Sequence, residues 1–132
     1  MRDLHITIKQ KISLEYFEEI IVSALEGGSN YWYSLNVDEF EDKLLGEKGD
    51  SLTTRISKSL YEDPTFEMNV YDAEALEEDL LGVVTQKSML KAIEFAHKDY
   101  FHIYHDLFEG QGDGNTADVL FQLAVMGEVI FG

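Results

Sequence analysis

The chain has 132 residues, with 10 Lys plus Arg against 26 Asp plus Glu and a formal net charge of −16. Its length, together with 45% hydrophobic and 12% aromatic residues, predicts a single domain over residues 1–132 with a substantial core. The absence of cysteine excludes disulfide frameworks, thiolate metal sites and cysteine nucleophiles, and it fits a reducing cytoplasm.

The first third of the chain alternates between strand and helix patterns. Residues 4–8 alternate apolar with polar side chains, which predicts a strand with one buried face. Ser13 is placed to cap an amphipathic helix, and Gly27 and Gly28 are placed to end it. Residues 31–37 alternate again, so we expect a second strand there.

The middle of the chain predicts a helix between acidic segments. Residues 38–50 are rich in acids and predict a mobile excursion or a weak helix, after which Ser51 can cap a short helix. Residues 66–71 alternate as a third strand, and an acidic loop over 72–79 leads into the apolar residues 80–84. Thr85 could cap the longest helix, with an apolar face reaching Phe108.

The last element is apolar at almost every position from Val119 to Phe131. Asn115 and Asp118 form a pair that resembles a capping box at its start. A helix that is apolar all round must be buried, so we expect it in the core or at an interface of a homodimer. The elements together predict an α+β domain with a small sheet of three or four strands and about four helices, the C-terminal one buried.

Charge and hydropathy restrict the partners. Phosphate binding requires clustered Lys and Arg, and the chain has two arginines, Arg2 and Arg55, so we expect no direct nucleic-acid or anionic-membrane binding. No apolar run reaches the ~20 residues that span a bilayer, and residues 1–11 lack the apolar stretch of a secretory signal. A soluble cytoplasmic protein that attracts basic protein partners is therefore expected.

Two segments carry a family resemblance, ALEGGSNYWY at residues 24–33 and TADVLFQLAVMGEVIFG at residues 116–132. With FEMNVYDAE and LGVVT between them, the chain resembles, over nearly its whole length, a family of small uncharacterised proteins of bacteriophages and prophages. The resemblance implies a phage accessory protein that acts in the host cytoplasm, and it supplies no catalytic residue. An acidic pair often precedes TADV in the family, whereas this chain has Gly112, Asp113, Gly114 and Asn115, so no carboxylate role is carried over to that loop.

The candidate contact residues are Gly27, Gly28, Tyr31, Trp32 and Tyr33. The glycines could let backbone approach a ligand or partner while the aromatic rings stack on a planar group. The alternative is a helix end followed by a strand whose aromatic residues fill the core. Because strand geometry places Trp32 opposite Tyr31 and Tyr33, Trp32 is the preferred contact residue.

Four side chains on the long helix are weak candidates for a metal site: His102, His105, Asp106 and Glu109. His102 with Asp106 and His105 with Glu109 are i,i+4 pairs of ligand types that suit zinc, manganese or iron. Such pairs also occur on surface helices for a modest electrostatic gain of ~0.2–0.5 kcal/mol. We expect neither a metal nor another cofactor.

These observations favour a non-enzymatic phage or prophage accessory protein that binds a host protein or a small ligand. One alternative is an acidic DNA mimic that inhibits a DNA-binding host protein. Duplex DNA as long as the expected diameter of the protein carries roughly 20 phosphate charges, which is close to the net charge of −16 on the chain. The other is a metal-dependent enzyme that uses the His and carboxylate pairs.

Overall fold

The computed structural model describes residues 3–74 and 79–132. Within them the chain forms a mixed α+β domain in which helices pack on a small antiparallel sheet, as the sequence predicts. The helices are α1 (Leu14–Ser23), α2 (Leu52–Glu62), α3 (Gln86–Asp99), α4 (Phe101–Phe108) and α5 (Gly114–Met126). The strands are β1 (Tyr33–Ser34), β2 (Met68–Asp72) and β3 (Leu80–Val84).

The sheet has the order β1-β2-β3, and both pairings are antiparallel. The strand expected at 66–71 is confirmed, and the apolar residues 80–84 form β3. Part of the acidic loop expected at 72–79 lies outside the described residues. The strand expected at 31–37 is only two residues long, because the backbone turns into a 3-10 helix at Val37–Glu39.

The strand expected at residues 4–8 is wrong. Leu4, Ile6 and Ile8 are 97%, 85% and 81% exposed, and the segment is extended without pairing to any strand in the described parts of the chain. Alternation marks a strand only when a neighbouring strand satisfies its backbone groups, and residues 3–11 have none beside them here.

The helix starts agree with the sequence more closely than the helix ends. Ser51 accepts a hydrogen bond from Thr54 N, and Thr85 with Ser88 forms a capping box, whereas Ser13 precedes α1 without a side-chain cap. The long helix expected from Thr85 to Phe108 is interrupted at Tyr100, whose φ of −135° and ψ of 54° leave the helical region. Two helices, α3 and α4, therefore replace one.

Residues 38–50 are attached to the core, not an excursion from it. They form short 3-10 turns, and Phe40 and Leu44 are buried. Arg55 Nη2 donates to Leu44 O and Arg55 Nε donates to Leu45 O, which ties the segment to α2.

Helix α5 lies at the centre of the fold and packs against α1, α3 and β3. A Cβ placed on Gly82 of β3 would lie 1.9 Å from Val125 O, so the sheet meets the α5 backbone directly at that glycine. The buried C-terminal helix is confirmed, but its apolar surface is covered within the chain and gives no reason for a dimer. No helix in the described residues has the length and apolar character that crossing a membrane requires.

Candidate functional site

The buried carboxylate of Asp118 connects helix α5 to the segment before β1. Its Oδ1 accepts hydrogen bonds from Ser29 Oγ and Trp32 Nε1, both at 2.7 Å. Its Oδ2 accepts from Tyr31 OH at 2.6 Å and from Gln122 Nε2 at 3.2 Å. A carboxylate 7% exposed is stable in the interior only when its oxygens are hydrogen-bonded, and here each oxygen has two donors.

The capping role expected for Asn115 and Asp118 is therefore wrong. Asp113 caps α5 instead, since its Oδ1 accepts a hydrogen bond from Thr116 N at 2.9 Å. Asp118 lies a full turn into the helix, where its side chain points toward Trp32.

Gln122 extends the network to the residues after α5. Its Oε1 accepts from Ile130 N and Phe131 N at 2.9 and 2.8 Å, and its Nε2 donates to Phe131 O at 3.1 Å. These bonds place the Phe131 ring parallel to Trp32, with centroids 5.3 Å apart and planes 10° apart. One chain of polar contacts thus joins Tyr31, the core and residues 130–131.

The two glycines of the aromatic segment play different parts. Helix α1 continues into a π-helical turn, Ala24–Gly28, a local widening of the helix that is frequent at functional sites. A Cβ on Gly28 would lie 2.3 Å from Gly114 O, so packing against the start of α5 requires glycine at that position. A Cβ on Gly27 would meet nothing within 4 Å, and the space beside it is open.

An open depression, which we call the Tyr31 depression, lies where the π-helical turn meets the start of α5. The charged residues that line it, Glu26 and Asp118, are both acidic. Its full lining is Val22, Ser23, Glu26, Gly27, Gly28, Tyr31, Gly114, Asn115 and Asp118. Tyr31 is 52% exposed, although its hydroxyl is held on Asp118.

Partial burial, followed by the hydrogen bond and the negative charge of Asp118, raises the pKa of Tyr31 to about 12. Ionising the phenol would place two negative charges in contact, so the neutral form is favoured. Tyr31 therefore remains a protonated hydrogen-bond donor at neutral pH.

The structure brings Gly27, Gly28 and Tyr31 together at this depression, but neither Trp32 nor Tyr33 lines it. The expectation that Trp32 is the exposed aromatic is wrong, because Trp32 is 2% exposed and lies in the core. Strand alternation does not apply to Trp32, since β1 begins one residue later. Tyr33 is partly buried, and its hydroxyl donates to Leu25 O.

Sequence reasoning missed Asp118, Ser29 and Gln122 as members of a site. A signal was present, because Asp118 and Gln122 are polar residues four apart in a helix that is otherwise apolar after its first turn. Such residues must meet polar partners when the helix is buried. Ser29 lies 89 residues away from Asp118, and sequence spacing does not reveal that contact.

The four weak metal candidates lie on and just after α4. His102, His105 and Glu109 are exposed, and His105 Nδ1 is 3.9 Å from Asp106 Oδ1. Among the residues that the structure describes, no group of three or more His, Asp or Glu side chains could hold a metal ion.

No family model, curated protein or solved structure matches the chain. The resemblance to phage and prophage proteins therefore stays a prediction. A function for the chain has to be argued from the contacts around Asp118 and Tyr31.

Proposed function

We propose that the protein is a non-enzymatic binding module whose Tyr31 depression takes a cationic group of a partner. The group is an ammonium or guanidinium, carried by a basic segment of a host protein or by a small ligand. The observation that carries this proposal is an exposed aromatic ring, fixed by a buried carboxylate, in a depression whose charged side chains are all acidic. A phage accessory role in the host cytoplasm is part of the proposal and rests on the sequence resemblance.

Electrostatics favours a cation at this position. Glu26 and Asp118 line the depression, and the whole chain carries a formal charge of −16. A cation over a tyrosine face gains about 0.5–1 kcal/mol at an exposed site, and the exposed Glu26 carboxylate can accept a charge-assisted hydrogen bond from it. A field of this sign also speeds the encounter with a basic partner at low salt.

The position of the Tyr31 ring is set before a partner arrives. Its hydroxyl donates to Asp118 Oδ2 at 2.6 Å, and Asp118 is itself held by Ser29 and Trp32. A contact side chain that is already ordered loses less rotamer freedom on binding, by about 0.5–1.5 kcal/mol for a side chain that would otherwise be mobile. This arrangement supports recognition.

The same contacts argue against catalysis by these groups. A general base needs an acceptor free to take a proton, and both Asp118 oxygens already accept two hydrogen bonds each. With its pKa raised to about 12, Tyr31 does not supply a phenolate nucleophile at neutral pH.

The test is an amide NMR titration of the whole protein with a short peptide of alternating Arg and Gly. We expect shifts at Gly27, Gly28 and Gly114, and weaker binding in Tyr31→Leu, which keeps apolar bulk and removes the ring and hydroxyl. Glu26→Gln should weaken binding by roughly 3-fold or more.

Glu47→Gln is the matched control for Glu26→Gln. It makes the same change of charge at an exposed residue outside the depression and should weaken binding less than about 2-fold. Equal weakening by the two substitutions, or shifts confined to residues 38–50, would show that the peptide senses only net charge and would overturn the proposal.

A further inference from the structure

Residues 3–11, which we call the N-terminal arm, have the pattern of a strand, but no strand lies beside them in the parts of the chain that the structure describes. The apolar residues Leu4, Ile6 and Ile8 are almost fully exposed. In the described chain, the backbone groups of the arm make one hydrogen bond, which Lys11 O accepts from Gln10 Nε2 at 3.3 Å. The arm leaves the body at Ile12, whose carbonyl accepts from Tyr61 OH at 3.0 Å.

The arm sequence is complementary to itself in the antiparallel direction. If two arms pair with Ile6 opposite Ile6, Leu4 lies opposite Ile8 and Asp3 lies opposite Lys9. The two-fold axis generates the Leu4–Ile8 and Asp3–Lys9 pairs twice, so the ribbon has one aliphatic face and two oppositely charged pairs on the other face. Cross-strand pairs of these kinds stabilise antiparallel strands, and a two-fold interface requires such self-complementarity.

A groove on the body lies beside the aliphatic face of the arm. Its apolar lining comprises Ile8 and Ile12 at the arm and Leu90 and Ile93 of α3, and Gln10, Glu94, His97 and Tyr104 also line it. In the pairing centred on Ile6, Leu4 of a second copy lies beside Ile8, at the entrance to this groove. The groove gives the ribbon an apolar surface to pack on, which an isolated two-stranded ribbon lacks.

The net charge of the chain does not oppose this pairing. Residues 3–11 carry a net +1, whereas the whole chain carries −16, so the negative charge lies in the body and not in the arm. In a ribbon centred on Ile6, the two Ile12 residues are separated by roughly 40 Å at ~3.4 Å per residue. This distance between the two arm–body junctions is several times the ~8 Å Debye length at physiological salt, so charges near one junction are largely screened from those near the other.

We infer that the protein forms a symmetric dimer through its N-terminal arms, which pair as an antiparallel two-stranded ribbon centred on Ile6. The interface is separate from the Tyr31 depression and does not depend on the proposed function. The partner is a second copy of this chain.

Cross-linking tests the pairing, because the natural chain has no cysteine. In Ile6→Cys the two introduced thiols face each other across the axis, whereas in Leu4→Cys they are separated by about four residue steps, or roughly 14 Å. Positions 4 and 6 are similarly exposed in the single chain, so random collisions would oxidise both at similar rates. We expect Ile6→Cys to form disulfide dimers at least 10-fold faster, and equal rates would overturn the inference.

Sedimentation equilibrium of the whole protein measures the dimer itself. Ile6→Lys places like charges opposite each other in the ribbon and should raise the dimer Kd by roughly 10-fold or more. Thr7→Lys, the matched control, makes the same charge change on the other face and should change Kd by less than about 3-fold. A natural chain that stays monomeric at several hundred micromolar would overturn the inference.

A charge exchange tests the register. Asp3→Lys and Lys9→Asp should each weaken the dimer, and the double variant, with the net charge of the natural chain, should restore it. A dimer that the exchange does not restore would show that the arm binds elsewhere on the second copy, and it would exclude the ribbon.

Discussion

Removing the Asp118 carboxylate should destabilise the protein by roughly 2–6 kcal/mol. In Asp118→Ala, Trp32 Nε1 and Ser29 Oγ lose their acceptor in positions that are 2% and 0% exposed. A buried donor left without a partner costs about 1–3 kcal/mol, which gives the range for two donors. Tyr31 can turn its hydroxyl to water because it is half exposed, and Gln122 keeps its bond to Phe131 O, so neither adds much.

Urea unfolding followed by fluorescence measures this loss directly, since Trp32 is the only tryptophan of the chain. Far-UV circular dichroism should give the same midpoint if unfolding is two-state. We expect a lower midpoint with an unchanged m-value, because the surface exposed on unfolding is nearly the same. Against a typical stability of 5–15 kcal/mol, the effect is large enough to measure.

Two further variants separate the hydrogen bonds from the general effect of a substitution. Asp118→Asn keeps one side-chain oxygen as an acceptor, but its NH2 group would face the NH2 group of Gln122. The stability of this variant should therefore lie between that of the natural protein and that of Asp118→Ala. Asp42→Ala changes an exposed acid and should stay within about 0.5 kcal/mol of the natural protein. A loss below about 1 kcal/mol in Asp118→Ala would refute the view that this carboxylate satisfies buried donors.

Three other substitutions test the surroundings of this carboxylate. Gly28→Ala should lower the thermal midpoint of unfolding markedly, because its Cβ would lie 2.3 Å from Gly114 O. Gly27→Ala is the control and should change the midpoint little, since its Cβ would meet nothing within 4 Å. Equal changes in the two variants would contradict this packing. Because the Tyr31 pKa is raised from 10 to about 12 in the folded state, its contribution to stability is complete below pH 10 and is lost between pH 10 and 12. In Tyr31→Phe, the free energy of unfolding measured with urea at a series of pH values should fall less steeply between pH 10 and 12. A fall as steep as in the natural protein would count against the raised Tyr31 pKa. Phe131→Ala removes the ring stacked on Trp32, so tryptophan emission should move to longer wavelength. The free energy of unfolding should fall by about 1–3 kcal/mol. An emission spectrum that does not move would mean that the Phe131 ring does not shield the indole from water.

The periodic elements of the fold were predictable from the sequence because their signals are local. Ser51 and Thr85 cap helices in the structure, and residues 120–125 of the last apolar run are buried as expected. The helix ends at Met126, and Ile130 beyond it is exposed. Residues 4–8 show where such reasoning fails, since the same alternation occurs in a strand and in an extended arm without a neighbour. The pattern reports which face is apolar and says nothing about what lies beside it.

The candidate site was predictable in part for the same reason. The glycines and Tyr31 were found from local composition, and they do lie together. Trp32 was assigned to the surface because strand geometry was assumed to begin at Tyr31, whereas β1 begins at Tyr33. Asp118 contacts residues 86 to 89 positions away, a relation that depends on how α5 packs in three dimensions.

The central place of α5 has a consequence for the order in which the chain can fold during its synthesis. The helix packs against α1, α3 and β3, yet residues 114–126 are made after all of them. Until those residues leave the ribosome, the faces of α1, α3 and β3 that pack on α5 stay uncovered, and Ser29 and Trp32 have no carboxylate to bind. The tertiary structure therefore forms late in translation, and nascent chains that stop before α5 expose the apolar surfaces that chaperones recognise.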